Sequence, residues 1–212
     1  MRSPGGLPTD DRICPGSPSR SRAAPYRRRS VWSGAEPTTR QRIYFANHSS
    51  HFDTLAIIAA LPPAIRARTR PVAALDYWGK TRMRRFIAVE CLRSILINRT
   101  RTGEGDPLDP VREGLAAGSS ILIFPEGTRG SGGTIAPFRS GLYRLAEAFP
   151  DVELVPAYLD NLSRIMPKGS MLIVPITCTV HFGAPLAPFP DEDGKAFLER
   201  ARLAVERLGK PA

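Results

Sequence analysis

Short apolar runs alternate with longer stretches of helical periodicity through most of this chain. Residues 43–46 form an apolar run of strand length. From 52 to 61 the apolar spacing is helical, and Pro62-Pro63 stops it. Residues 71–75 read as a second strand. Residues 79–92 read as one helix with a basic face made by Lys80, Arg82, Arg84 and Arg85. Residues 94–97 are a buried strand and 98–107 a polar loop. The helix predicted over 108–117 ends at Gly118, a natural stop. Residues 120–124 are the next strand, 140–149 a helix, 153–158 a strand, and 171–182 one or two strands. Asp191 is expected to cap a last amphipathic helix reaching about Leu208. Strand and helix therefore alternate, which predicts a single layered α/β domain with a mixed, mostly parallel sheet flanked by helices.

The first 42 residues break this pattern. They hold six prolines, four glycines and six serines, with few large apolar side chains. Such a segment buries too little apolar surface to offset its ordering entropy, so residues 1–42 are expected to be a disordered basic tail and 43–212 the folded domain. The tail carries nine arginines against three acids, out of a net charge of +10 for the 212-residue chain. A positive surface attracts anionic lipid or nucleic acid about equally well. No zinc-finger spacing, RNP-like aromatic motif or helix-turn-helix accompanies it, which disfavours nucleic acid.

Cys14, Cys91 and Cys178 are widely spaced and odd in number. This argues against a disulfide framework or zinc-thiolate site and fits a reducing, cytoplasmic compartment. The uncharged run 54–65 is short and contains Pro62-Pro63, and the run 170–190 contains His181 and four prolines. Neither suits a spanning helix, which needs about 20 mostly apolar residues. The N-terminus has no apolar h-region, so no signal peptide is expected.

Candidate chemistry concentrates at two places. After the 43–46 strand comes Asn47-His48-Ser49-Ser50-His51-Phe52-Asp53. A neutral imidazole can take a proton from an attacking hydroxyl, and works best when a carboxylate accepts its other N–H. On a continuous helix His48 and Asp53 would point about 140° apart. They meet if His48 sits at a strand-to-helix bend, which Asn47 suits, and Asp53 in the first turn. Otherwise Asp53 merely complements the helix dipole. His48, His51 and Asp53, completed by His181, could alternatively form the metal site of a hydrolase. A serine nucleophile at Ser49 or Ser50 lacks the elbow that would expose it.

The second place is Phe124-Pro125-Glu126-Gly127-Thr128-Arg129, after the 120–124 strand. Pro125 ends the ladder and Gly127 permits a backbone that other residues avoid. The turn falls at the carboxyl end of a strand, where ligands of α/β sheets gather. Arg129 can grip a phosphate and Thr128 can donate a hydroxyl, while Glu126 can orient Arg129 or bind a substrate hydroxyl. Arg99, just past the 94–97 strand, is a second candidate phosphate ligand. Together these segments suggest an enzyme that deprotonates an alcohol on a phosphorylated substrate.

In this combination the chain resembles the glycerolipid acyltransferases typified by 1-acylglycerol-3-phosphate acyltransferases. Their N-H-x4-D block corresponds to Asn47, His48 and Asp53, and their F-P-E-G-T-R block to Phe124–Arg129, with Gly130 where serine is usual. An apolar block with V-P corresponds to Leu154-Val155-Pro156-Ala157. A block ending in arginine corresponds to Leu92–Arg99, here without its usual glycine. The resemblance implies that His48, oriented by Asp53, deprotonates the free hydroxyl of a lysophospholipid. The oxygen then attacks the thioester of acyl-CoA or acyl carrier protein, with no acyl-enzyme. It assigns Asn47, Arg99, Glu126, Gly127, Thr128 and Arg129 to substrate binding. It implies no metal and no cofactor, with the acyl thioester as co-substrate. Lipid substrates imply a peripheral enzyme on the inner face of the cell membrane, in contact with anionic lipid. A non-catalytic basic protein binding lipid or nucleic acid is the remaining alternative.

Overall fold

A computed structural model describes residues 29–50, 52–99, 105–130, 134–160, 179–187 and 192–210. In chain order the strands are β1 (Arg29–Ser33), β2 (Arg42–Ala46), β3 (Thr69–Ala74), β4 (Ile95–Ile97), β5 (Ser120–Ile123), β6 (Glu153–Asp160) and β7 (Thr179–Gly183). The helices are α1 (Asp53–Ala60), α2 (Pro63–Arg68), α3 (Leu75–Trp78), α4 (Arg82–Phe86), α5 (Asp109–Ala116), α6 (Gly141–Ala148) and α7 (Gly194–Leu208). The seven strands form one sheet in the order β1-β7-β6-β2-β5-β3-β4. Only β6 and β7 pair antiparallel; the other pairs are parallel. The expected α/β architecture is the observed one.

Alternation along the strands explains the layers. Ile43 and Phe45 of β2, with Ile121 and Ile123 of β5, enter one core beneath α5, α6 and α7. Tyr44 and Ala46, with Leu122, Val155 and Phe182, enter the other, beneath α1 and α2. Successive side chains of a strand point to opposite faces, so a strand covered on both faces is apolar throughout. That is the pattern of β2, whose five residues are all buried, including Arg42, which pairs with Glu153 of β6 at 2.7 Å.

Several boundaries move. The ordered domain begins by residue 29, not 43: β1 pairs in parallel with β7, register Val31↔His181, and Trp32 stacks on Phe182 at 4.2 Å. Residues 1–28 lie outside the described residues. Pro62-Pro63 stops α1 and also starts α2, because proline at the first helical position gives up only an amide that would be unpaired there anyway. The helix expected over 79–92 begins at Arg82 as α4 and continues into a π-helical turn at Ile87–Cys91; a separate short helix, α3, precedes it. Thr81 caps α4 by accepting the Arg84 amide. Asp193 caps α7, accepting the Lys195 and Ala196 amides; Asp191 lies outside the described residues, as does 171–178 of the strand expected over 171–182.

Because β6, β2, β5, β3 and β4 run in the same direction, their carboxyl ends share one edge of the sheet. The segments leaving β2, β5, β3 and β4 there are Asn47–Asp53, Phe124–Gly130, α3 and Asn98–Arg99. The candidate residues, scattered in sequence over 80 positions, thus meet at one edge.

Candidate active site

β2 ends at Ala46, and the chain turns before α1 starts at Asp53. The bend lets the Asp53 carboxylate fold back on the turn. Its Oδ2 accepts the Ser49 amide at 2.6 Å and the Ser50 amide at 2.8 Å, and lies 2.8 Å from His48 Nδ1. The Asp53 side chain is fully buried, whereas His48 is 21% exposed. A carboxylate only accepts, so this contact puts a proton on Nδ1, and in the neutral imidazole the free lone pair is then on Nε2. The imidazole lies on the Phe124 ring, with centroids 4.3 Å apart and planes at 21°. Tautomer and ring plane are therefore both set by neighbours. Asp53 Oδ1 is buried and has no hydrogen-bond partner.

The second segment holds the first. Glu126 is buried, and its carboxylate accepts the His48 amide at 2.7 Å and the Ala136 amide at 3.0 Å. The Gly130 amide in turn donates to the His48 carbonyl at 2.8 Å. The backbone of His48 is thus gripped on both sides by the turn that follows β5. Gly127 at that turn has φ +72°, and a Cβ there would lie 2.5 Å from Arg139 Nε. The left-handed backbone favours glycine, and a Cβ would also have to displace the Arg139 side chain. Asn47 ties the end of β2 to β6: its Oδ1 accepts the Leu159 amide at 2.9 Å, and its Nδ2 donates to the Leu159 carbonyl at 3.4 Å.

Arg99 reaches the same turn, donating from Nη1 to the Gly127 carbonyl at 2.6 Å. Its Nε and Nη2 form a fork onto the two oxygens of Asp76 in α3, at 3.1 and 2.5 Å. These hydrogen bonds from Arg99 hold the Asp76 carboxyl below the usual carboxylate range. Thr128 and Arg129 are exposed beside it.

The structure thus brings together His48, Asp53, Asn47, Arg99, Glu126 and Gly127, with Thr128 and Arg129 on the same turn. Glu126 differs from expectation in what it touches: both oxygens are taken by backbone amides, so it braces the turn rather than orienting Arg129. Three further residues contribute to which the amino-acid sequence assigned no role. Phe124 was visible only as a motif letter. Asp76 had no signal, since nothing in Leu75-Asp76-Tyr77 indicates a partner 23 residues away. Arg139, which donates to the Glu126 carbonyl at 3.3 Å, had none either. His51 lies outside the described residues, and His181 sits within β7 opposite Tyr158. Among the described residues no group of three or more His, Cys, Asp and Glu is arranged to hold a metal ion.

A family model described as Acyltransferase matches residues 31–178. A Chlamydomonas reinhardtii protein named 1-acyl-sn-glycerol-3-phosphate acyltransferase is 28% identical over 175 residues, 80% of this chain and 48% of that protein. The human 1-acyl-sn-glycerol-3-phosphate acyltransferase alpha is 27% identical over 177 residues, 80% of this chain and 59% of that one. The chain thus spans about half the length of the first of these relatives and about three-fifths of the second. The crystal structure of the acyltransferase PlsC from Thermotoga maritima shares the fold, with a TM-score of 0.65 at 22% identity, covering 85% of this chain and 70% of that one.

Proposed function

This chain belongs to the Acyltransferase family, and on that premise we propose that it transfers a fatty acyl group from an acyl thioester to the free hydroxyl of a lysophospholipid. The acceptor that suits the site best is 1-acylglycerol-3-phosphate, giving phosphatidic acid. The observation that carries this reading is the His48 Nδ1–Asp53 Oδ2 contact, at 2.8 Å in a turn clamped by Glu126 and Gly130.

Nε2 of His48 takes the proton of the acceptor hydroxyl as its oxygen attacks the thioester carbonyl. Asp53, buried beside the ring, stabilises the imidazolium that results. The tetrahedral intermediate collapses with cleavage of the C–S bond, and the imidazolium returns its proton to the departing sulfur. An ester and a free thiol result, and His48 is regenerated with no acyl-enzyme. Arg99, Thr128 and Arg129 take the acceptor phosphate, Arg99 with the N–H groups that its contacts to Asp76 and Gly127 leave open. Asn47, Glu126 and Gly127 shape the cradle. Holding both reactants in place accounts for a large share of such a rate enhancement. The thioester is carried by coenzyme A or acyl carrier protein.

Both substrates carry acyl chains, so the reaction belongs at a membrane face. No helix among the described residues is long and apolar enough to cross a membrane. Peripheral attachment at the inner face, helped by Lys80, Arg82, Arg84 and Arg85, fits this reading.

The test is transfer from labelled acyl-CoA to lysophosphatidic acid in mixed micelles, with wild type and His48→Ala side by side. A loss of about a hundredfold or more, with an unchanged circular dichroism spectrum, is expected for removal of a general base. Equal product from both proteins would place the base elsewhere and overturn the mechanism.

A further inference from the structure

Large apolar side chains are distributed unevenly on the surface. Every exposed large hydrophobic among the described residues lies between positions 52 and 86: Phe52, Leu55, Leu75, Met83 and Phe86. Met83 and Phe86 are 72% and 59% exposed. They are three apart on α4 and so share one side of it, while Arg82 and Arg85, also three apart and exposed, share the next. The helix is well fixed beneath them. Thr81 caps it, the Arg84 guanidinium lies 4.6 Å from the centre of the Tyr77 ring in α3, and Ala88 in the following turn is fully buried. The apolar side chains are therefore displayed on an anchored scaffold, not on a fraying end.

Charge is concentrated in the same segment. Residues 52–86 contain seven basic and two acidic side chains, a net +5 out of +10 for the whole chain. One of the two acids, Asp53, is buried against His48. Apolar groups ringed by cations fit a partner that is apolar within and anionic at its surface. Residues 1–28 would be poor cover, because they hold six arginines and two acids and repel a cationic face. The face also adjoins the chemistry: α1 and α3 both begin at the sheet edge that holds His48 and Arg99.

We propose that the α3–α4 segment, with the start of α1, is the docking face for an anionic lipid bilayer, with Met83 and Phe86 inserted among the acyl chains and Arg82 and Arg85 on the headgroups. This rests on the reading that the acceptor is a lipid, and it goes further by assigning the surface. It places the opening of the site against the leaflet from which the acceptor is drawn, so the acceptor need not leave the membrane to react.

The experiment is co-sedimentation of the full chain with vesicles of phosphatidylcholine alone or mixed with phosphatidylglycerol. Three variants accompany wild type: Met83→Ser/Phe86→Ser, Arg82→Glu/Arg85→Glu and His48→Ala. Wild type is expected on the mixed vesicles. The serine pair should bind at least about tenfold more weakly, from lost apolar immersion. The glutamate pair should bind more than about 25-fold more weakly, at about fivefold per charge removed, and added salt should erase that difference. His48→Ala should bind like wild type, so the docking face is judged even if acyl transfer fails. Wild-type binding by the Met83→Ser/Phe86→Ser protein, or no binding by wild type, would overturn the proposal. So would a wild-type dimer in light scattering that the serine pair converts to monomers, since a second copy would then cover the face.

Discussion

Asp53→Asn isolates the charge behind His48 from the shape around it. The amide oxygen can occupy the Oδ2 position and accept the Ser49, Ser50 and His48 donors, and the amide NH2 falls where Oδ1 is buried without a partner. The turn is therefore kept, and a buried NH2 without an acceptor offsets the relief of a buried charge. We expect a stability change of roughly 2 kcal/mol or less, a shift of a few degrees in Tm. Catalysis responds differently. In the transition state His48 becomes cationic, and its charge lies about 4 Å from that of Asp53, worth about 4 kcal/mol at an effective dielectric near 20. His48 is 21% exposed, so water screens part of this and about 2–4 kcal/mol remains. That predicts a fall in kcat of about 30- to 1000-fold. The assay is the initial rate of acyl transfer from acyl-CoA to saturating lysophosphatidic acid, beside a thermal melt of each protein. A folded Asp53→Asn protein with kcat within about threefold of wild type would refute the role of the carboxylate as counter-charge.

Other substitutions separate bracing from binding. Glu126→Gln must turn an NH2 toward the amide of either His48 or Ala136, and should cost about 1–3 kcal/mol, several degrees in a thermal melt; an unchanged Tm would exclude the bracing role. Asp76→Asn loosens the fork on Arg99, so KM for the phosphorylated acceptor should rise roughly two- to fivefold at nearly constant kcat, with partial recovery in Asp76→Glu. A fall in KM would instead make Asp76 a competitor of the phosphate. Away from the site, Asp106 links α5 to α6 through Arg112, at 2.6 Å, and Arg144. Burial pushes its carboxyl up, but hydrogen bonds from Arg112, the Leu108 amide and Arg144 outweigh this and bring it down to about 2. A depressed carboxyl stabilises the fold above its unfolded value, near 3.8, and loses that contribution as pH falls through the folded one. Wild type should therefore be more stable than Asp106→Asn at neutral pH, with the gap in urea midpoints closing between about pH 4 and pH 2; a gap independent of pH would exclude the ion pairs as its source.

Most of the strands and helices were legible because their apolar periodicity is a local property. The strands expected at 43–46, 94–97, 120–124 and 153–158 lie within a few residues of β2, β4, β5 and β6. Where the reading missed, the deciding interaction lay far away in the chain. β1 has the composition of a tail, and its order comes from pairing with β7 some 150 positions later and from Trp32 on Phe182.

For the site, the amino-acid sequence by itself determined the chemical inventory: one histidine with a carboxylate five residues on, and a Pro-Glu-Gly-Thr-Arg turn at a strand end. Spacing could say that His48 and Asp53 meet only across a bend. The tertiary structure decided that the bend exists, and how the two segments serve each other. Parallel pairing of β2 with β5, register Phe45↔Ile123, sets Asn47–Asp53 beside Phe124–Gly130. Only then can Glu126 hold the His48 backbone, Phe124 support its ring, and Asp76 hold Arg99 against Gly127. Hydrogen bonds act over about 3 Å, and which groups come that close is settled by strand order and register. Those depend on the packing of the whole sheet, not on any one segment.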